Sequence, residues 1–112
     1  PTKPEIFYPL LENIYKLEEA GVVFAFQTDH PILSVASLPQ AVSFAVKHGL
    51  SESAALKALT INAARVMGKE DRIGSIEVSK DADIIITTGS IFDYNTFVDM
   101  TIINGKVVYE RD

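Results

Sequence analysis

The stretch AGVVFAFQTDHP, residues 20–31, decides how the rest of the chain is read. Val22, Val23, Phe24, Ala25 and Phe26 are apolar at every position, the pattern of a strand covered on both faces, as in a parallel sheet, rather than the alternation of a half-solvated one. The run then stops at Thr28-Asp29-His30-Pro31. A buried strand has no use for a carboxylate at its tip unless something there needs the charge, so the cluster is the first place to look for chemistry.

Before this strand, YPLLENIYKLEEAG carries Leu10, Leu11, Ile14 and Leu17 at helical spacing, and Gly21 is positioned as a left-handed stop. Helix followed by buried strand is half of a barrel or doubly wound unit. After it, residues from Gln40 to His48 read as a second helix closed by Gly49. Ser51 sits where an N-cap of SESAALKALT belongs, and Asn62 is expected to cap a short helix, AARVM, that stops at Gly68. From Lys69 the character changes. IGSIEV, ADIIIT, TII and KVVY are short and rich in β-branched residues, and Asn104-Gly105 between the last two is a strong hairpin signal.

The chain has 112 residues, 47% hydrophobic and 22% charged, which fits one modest globular core and excludes a fibrous or disordered class. A formal charge of −5 argues against a nucleic-acid partner or an anionic membrane, since both require a cationic face. With no cysteine, neither disulfides nor a thiolate metal site can form, and a cytoplasmic setting is the expectation. No signal peptide is evident, and the apolar runs are too short to span a bilayer. The chain begins at Pro1 rather than Met, which suggests a processed or excised piece.

In order, KPEI, AGVVFAFQTDHP, ALTINAARVMG, DRIGSIEVSKDADIIIT and IINGKVVY resemble the C-terminal end of the metal-dependent amidohydrolases, especially their imidazolonepropionase-like branch. The likeness covers nearly the whole chain. It implies the end of a (β/α)₈ TIM-barrel hydrolase over residues 1–68, with its last strand and helices, and part of a small composite β-sandwich over residues 69–112. It implies one or two divalent metals, zinc foremost, at the C-terminal mouth of the barrel, and a small-molecule substrate with a C–N bond: an amide, cyclic amide or amidine.

On this resemblance Val22 to Phe26 matches the eighth barrel strand and Asp29 the strand-eight aspartate that binds the metal and takes a proton from the attacking water. The chemistry is sound by itself: active sites of such barrels lie at the C-terminal ends of the strands, and a carboxylate there can hold and deprotonate a water. The bland alternative for Asp29 is an Asx-turn or helix-capping acid. His30 is weighed as a substrate contact at the pocket rim against a loop histidine bonded to a backbone carbonyl. Thr28 is expected to orient the loop, with a bond to Asp29 open to it. His48 closes a helix, where a cationic ring favours the dipole, and is not counted as a ligand. The run Lys80-Asp81-Ala82-Asp83 lacks the oxygens calcium requires and reads as a turn; Gly68, Gly74 and Gly89 are backbone punctuation.

What is absent matters as much. The sequence has two histidines and no His-x-His, whereas a catalytic zinc takes about three protein ligands. It is also far below the ~250 residues of a closed barrel. The expectation is therefore a terminal fragment that needs the rest of the barrel, holds metal weakly by itself and is inactive alone, with homo-oligomer formation through its orphaned strand left open. The competing reading is a small non-catalytic α/β binding module in which residues 22–26 and 83–87 pair as parallel strands.

Overall fold

The computed structural model describes residues 12–29 and 34–112. Of the first expected helix, Leu10 and Leu11 lie outside these residues. Helix α1 spans Tyr15–Glu19 and ends as anticipated at Gly21 (φ 71°), whose amide donates to the Glu18 carbonyl at 3.0 Å.

Residues 22–28 form no ladder, so the strand expected over 22–26 is not made. Val22 and Val23 are 47% and 59% exposed, while Phe24 and Phe26 meet edge-to-face at 5.8 Å and pack on the core. An extended segment becomes a strand only when neighbours accept its N–H groups and donate to its carbonyls. No described residue offers that edge. The parallel pairing of 22–26 with 83–87 is equally absent: the latter segment pairs antiparallel, with a strand later in the chain.

A 3-10 turn at Val35–Ser37, capped by the Ser34 hydroxyl, leads into α2, Leu38–Lys47. The helix starts two residues before the expected Gln40, because Pro39 is tolerated in a first turn, where its missing N–H would have no partner anyway. Its end at His48 and Gly49 (φ 118°) is as read, and Leu50 then turns inward, its amide donating to the Ala45 carbonyl at 3.1 Å.

Helix α3, Glu52–Leu59, has the cap its sequence announces: the Ser51 hydroxyl accepts from the Ala54 amide at 3.0 Å. Helix α4, Ile61–Val66, departs from expectation. Asn62 lies inside its first turn instead of capping it, since the chain re-enters a helix after the single residue Thr60 and leaves no room for a separate cap. Thr60 makes no capping bond and donates its hydroxyl back to the Leu56 carbonyl at 2.7 Å.

The core belongs to this helical region. Val42, Ala45, Leu50 and Ala55 form a buried cluster, with Ile14, Tyr15, Phe24, Phe26, Leu38 and Phe92 among those packed on it. Small side chains at Ala45, Ala55, Ala58 and Ala64 let the helices approach closely.

The β region is a three-stranded antiparallel meander of β1 (Ile84–Thr87), β2 (Val98–Ile103) and β3 (Lys106–Glu110) in the order β1-β2-β3. Ile84 faces Ile102, and Ile103 faces Lys106 across a turn whose central residues Asn104 and Gly105 have φ 51° and 77°. Positive φ at both positions is the signature of the type I′ turn expected there. Irregularities interrupt both ladders, between Ile86 and Thr87 and between Thr101 and Ile102.

IGSIEV, expected as a strand, is not one: Ile76 and Val78 are 81% and 97% exposed and the segment runs as turns. Gly74 explains how it is held. With φ 98°, it passes so close over α4 that a Cβ there would lie 2.7 Å from the Ala64 Cβ. The segment follows the helix surface at the cost of any sheet register.

Candidate active site

Asp29 ends the unpaired segment after Thr28. Its backbone is left-handed, φ 55°, and its side chain is exposed, while Thr28 beside it is 8% exposed and is the buried polar residue of the described structure. For an L-residue this conformation costs energy, although aspartate tolerates it better than most. An Asx-turn does not account for the choice. An Asx-turn accepts the amide two residues on, and Pro31 has none. Among the described residues the Asp29 carboxylate makes no hydrogen bond or ion pair, so it stands available to a group outside them.

His30 lies outside the described residues. His48 occupies the C-terminal cap of α2 and lays its ring against Phe44 at 4.5 Å, a packed helix end, as expected. The acidic run is structural too. Asp81 pairs with Arg72 at 2.9 Å, and Asp83 accepts the Asn104 amide at 2.8 Å.

A divalent metal places a definite demand on the donor set: about three protein ligands with an open position for water. Asp29 suits one of these as a hard, unpaired oxygen donor. The described residues hold no group of three or more His, Cys, Asp or Glu that could complete the set.

A wide concavity lies elsewhere. A groove of about 1270 Å³ runs between α3–α4 and the start of the sheet, lined by Leu56, Ile61, Ala64, Ile73, Ile84 and Phe92 among others, and Asp29 is not part of it. At its rim Lys80 Nζ donates to Ser75 Oγ at 2.7 Å and pairs with Glu77 at 3.0 Å, and the Ser75 hydroxyl donates to Glu77. The Ser75 bond, then Lys80, holds the Glu77 carboxyl below the usual range. A serine beside a lysine suggests a nucleophile and its base, but this lysine is tied to a carboxylate and this hydroxyl already has a donor and an acceptor. The trio braces a turn. A second brace joins α1 to α3: Glu18 accepts the Ser51 amide at 3.0 Å and its hydroxyl at 2.6 Å, which likewise lowers the Glu18 pKa. Neither brace was foreseen from sequence: Glu18 and Ser51 stand 33 residues apart, and Ser75, Glu77 and Lys80 lie in and beside a segment expected to be a strand, where a turn brings them together instead.

Residues 5–108 match the model of the amidohydrolase family. A probable imidazolonepropionase of Mus musculus is 34% identical over 106 residues, covering 86% of this chain and 25% of the relative. An imidazolonepropionase of Fusobacterium nucleatum is 33% identical over 107 residues, with the same coverage. The crystal structure of an amidohydrolase from Thermotoga maritima superposes with a TM-score of 0.84 at 40% identity, over 90% of this chain and 26% of that one. The chain thus spans about a quarter of the length of the relatives it matches. Through its sequence along nearly its full length, and through its fold, the chain belongs to the amidohydrolase family.

Proposed function

We propose that the chain is the C-terminal part of a metal-dependent hydrolase that cleaves a C–N bond in a cyclic amide, amide or amidine, with Asp29 as metal ligand and proton acceptor. In this reading residues 1–68 close the barrel and residues 69–112 supply part of the β-sandwich. The observation that carries it is the placement of Asp29: an exposed carboxylate with no partner among the described residues, on left-handed backbone, at the end of a segment patterned for burial between strands. Relatives named imidazolonepropionase favour a cyclic substrate. A divalent metal, zinc foremost, would supply Lewis-acid activation of water in the parent enzyme. Asp29 would offer one carboxylate oxygen as a donor and accept the proton that the water gives up. His30, next in sequence, is proposed as a substrate contact at the rim. Most ligands would come from the remainder of the barrel, so the 112-residue chain alone is expected to hold metal weakly and to show no turnover.

The test is Asp29→Asn in the full-length parent, with kcat, metal content and melting temperature measured together. The expected result is a kcat loss of roughly 10²- to 10⁴-fold with metal retained and an unchanged melting temperature. Near-normal turnover with a lowered melting temperature would instead assign Asp29 to the fold. For the chain alone, one tightly held metal after dialysis would overturn the claim of an incomplete site.

A further inference from the structure

We propose that Asn104 is a deamidation site kept closed by the fold, through a clasp between Ala82-Asp83 and Asn104-Gly105. Asn-Gly is the pair in which the reaction is least hindered, since glycine has no side chain to obstruct approach to the asparagine amide. In the reaction the Gly105 amide nitrogen loses its proton and attacks Cγ of Asn104. A bond from that nitrogen to Cγ forms, the bond from Cγ to Nδ2 breaks, and ammonia leaves with the proton. Water then opens the five-membered imide at either carbonyl, giving aspartate or isoaspartate.

The structure restrains both participants. The Gly105 N–H, whose nitrogen must be freed to attack, donates to the Ala82 carbonyl at 3.0 Å. The Asn104 N–H donates to Asp83 Oδ1 at 2.8 Å. Both residues are locked at positive φ by the turn between β2 and β3. Reaction therefore requires the turn to leave its clasp, and its rate follows the population of that local opening rather than global unfolding. The product blocks return. A carboxylate at position 104 adds a negative charge to a residue whose backbone N–H is held by the Asp83 carboxylate, and isoaspartate adds a backbone atom to a two-residue turn that sets the pairing of Ile103 with Lys106. The hairpin is thus a one-way recorder of its own openings.

The test incubates the whole chain at neutral pH, in native buffer and in concentrated urea, and follows isoaspartate and mass gain in the peptide containing Asn104, with Asn95 in the exposed loop before β2 as internal reference. Asn104 is expected to react at least ~10-fold more slowly in the native chain than in urea. Asp83→Ala, which removes one arm of the clasp, should speed Asn104 several-fold in native buffer and leave Asn95 unchanged. Equal rates in the two solvents, or an unchanged rate in a folded Asp83→Ala chain, overturns the proposal. If Asp83→Ala does not fold, hydrogen exchange at Gly105 in the native chain decides: slow exchange supports the clasp, and exchange at the rate of an open loop removes it.

Discussion

Residues 22–26 and residues 84–87 are both apolar runs patterned as strands, and the structure treats them oppositely. Ile84–Thr87 pairs along its length with β2, whose own partner β3 lies across a two-residue turn. Val22 to Phe26 pairs with nothing described, with two valines about half exposed. The difference is one of supply. A meander carries its hydrogen-bonding neighbours within a few residues, whereas a parallel strand depends on partners a long crossover away. Local pattern states what a segment could become, and the availability of an edge decides whether it does.

Placing that edge back gives the largest expected effect. Val23→Asp should change the stability of the 112-residue chain by less than ~0.5 kcal/mol, because the side chain is mostly in water. In the proposed full-length parent, if the segment is paired and covered there, the same substitution should cost more than ~4 kcal/mol, an unpaired charge in a core. Denaturant melts of both proteins make the comparison, and equal small losses would mean that the segment is never a buried strand.

Gly74→Ala probes the contrasting region, where a loop replaces an expected strand. Left-handed strain together with the 2.7 Å approach to Ala64 should destabilise the chain by roughly 2–4 kcal/mol. A loss below ~0.5 kcal/mol would show that the loop does not rest on α4 in solution.

Gly105→Val tests the paired region at its turn. No neighbouring atom lies within 4 Å of a Cβ placed there, so the expected cost of about 1–2 kcal/mol comes from backbone strain alone. Val108→Thr serves as a control at a half-exposed strand position, with no more than ~0.5 kcal/mol expected.

A further comparison concerns the link between α1 and α3. Ser51→Ala removes an N-cap and should cost about 1 kcal/mol. It should also alter the response to acid. Glu18 has a lowered pKa in the folded chain, so its contribution to stability is complete above the ordinary glutamate range and is lost as pH falls through the lowered value. Melting temperatures across that acid range should therefore fall less steeply in Ser51→Ala than in the unaltered chain, and parallel curves would place the titration elsewhere.

Much of the fold could be read from the residues because its causes are local. Gly21, Gly49 and Gly68 end helices where a left-handed residue was called for, Ser51 caps α3, and Asn104-Gly105 turns the hairpin. The misreadings arose where a neighbour overruled local preference. Asn62 lost its capping role because only Thr60 separates α3 from α4, and IGSIEV gave up a strand where Gly74 comes to lie on Ala64. Of the candidate site, Asp29 could be singled out in sequence because a carboxylate ending an apolar run needs a reason, yet its left-handed backbone could not be foreseen.

The sequence alone therefore determined the helix ends, the hairpin and the family, each set by residues close together or by their order along the chain. Only the tertiary structure decided that residues 22–28 stay unpaired, that the core lies among α2, α3 and the two phenylalanines, and that Asp83 and Glu18 brace the hairpin turn and the junction of α1 with α3. Those outcomes depend on distances between residues far apart in sequence, and such distances exist only once the chain has folded.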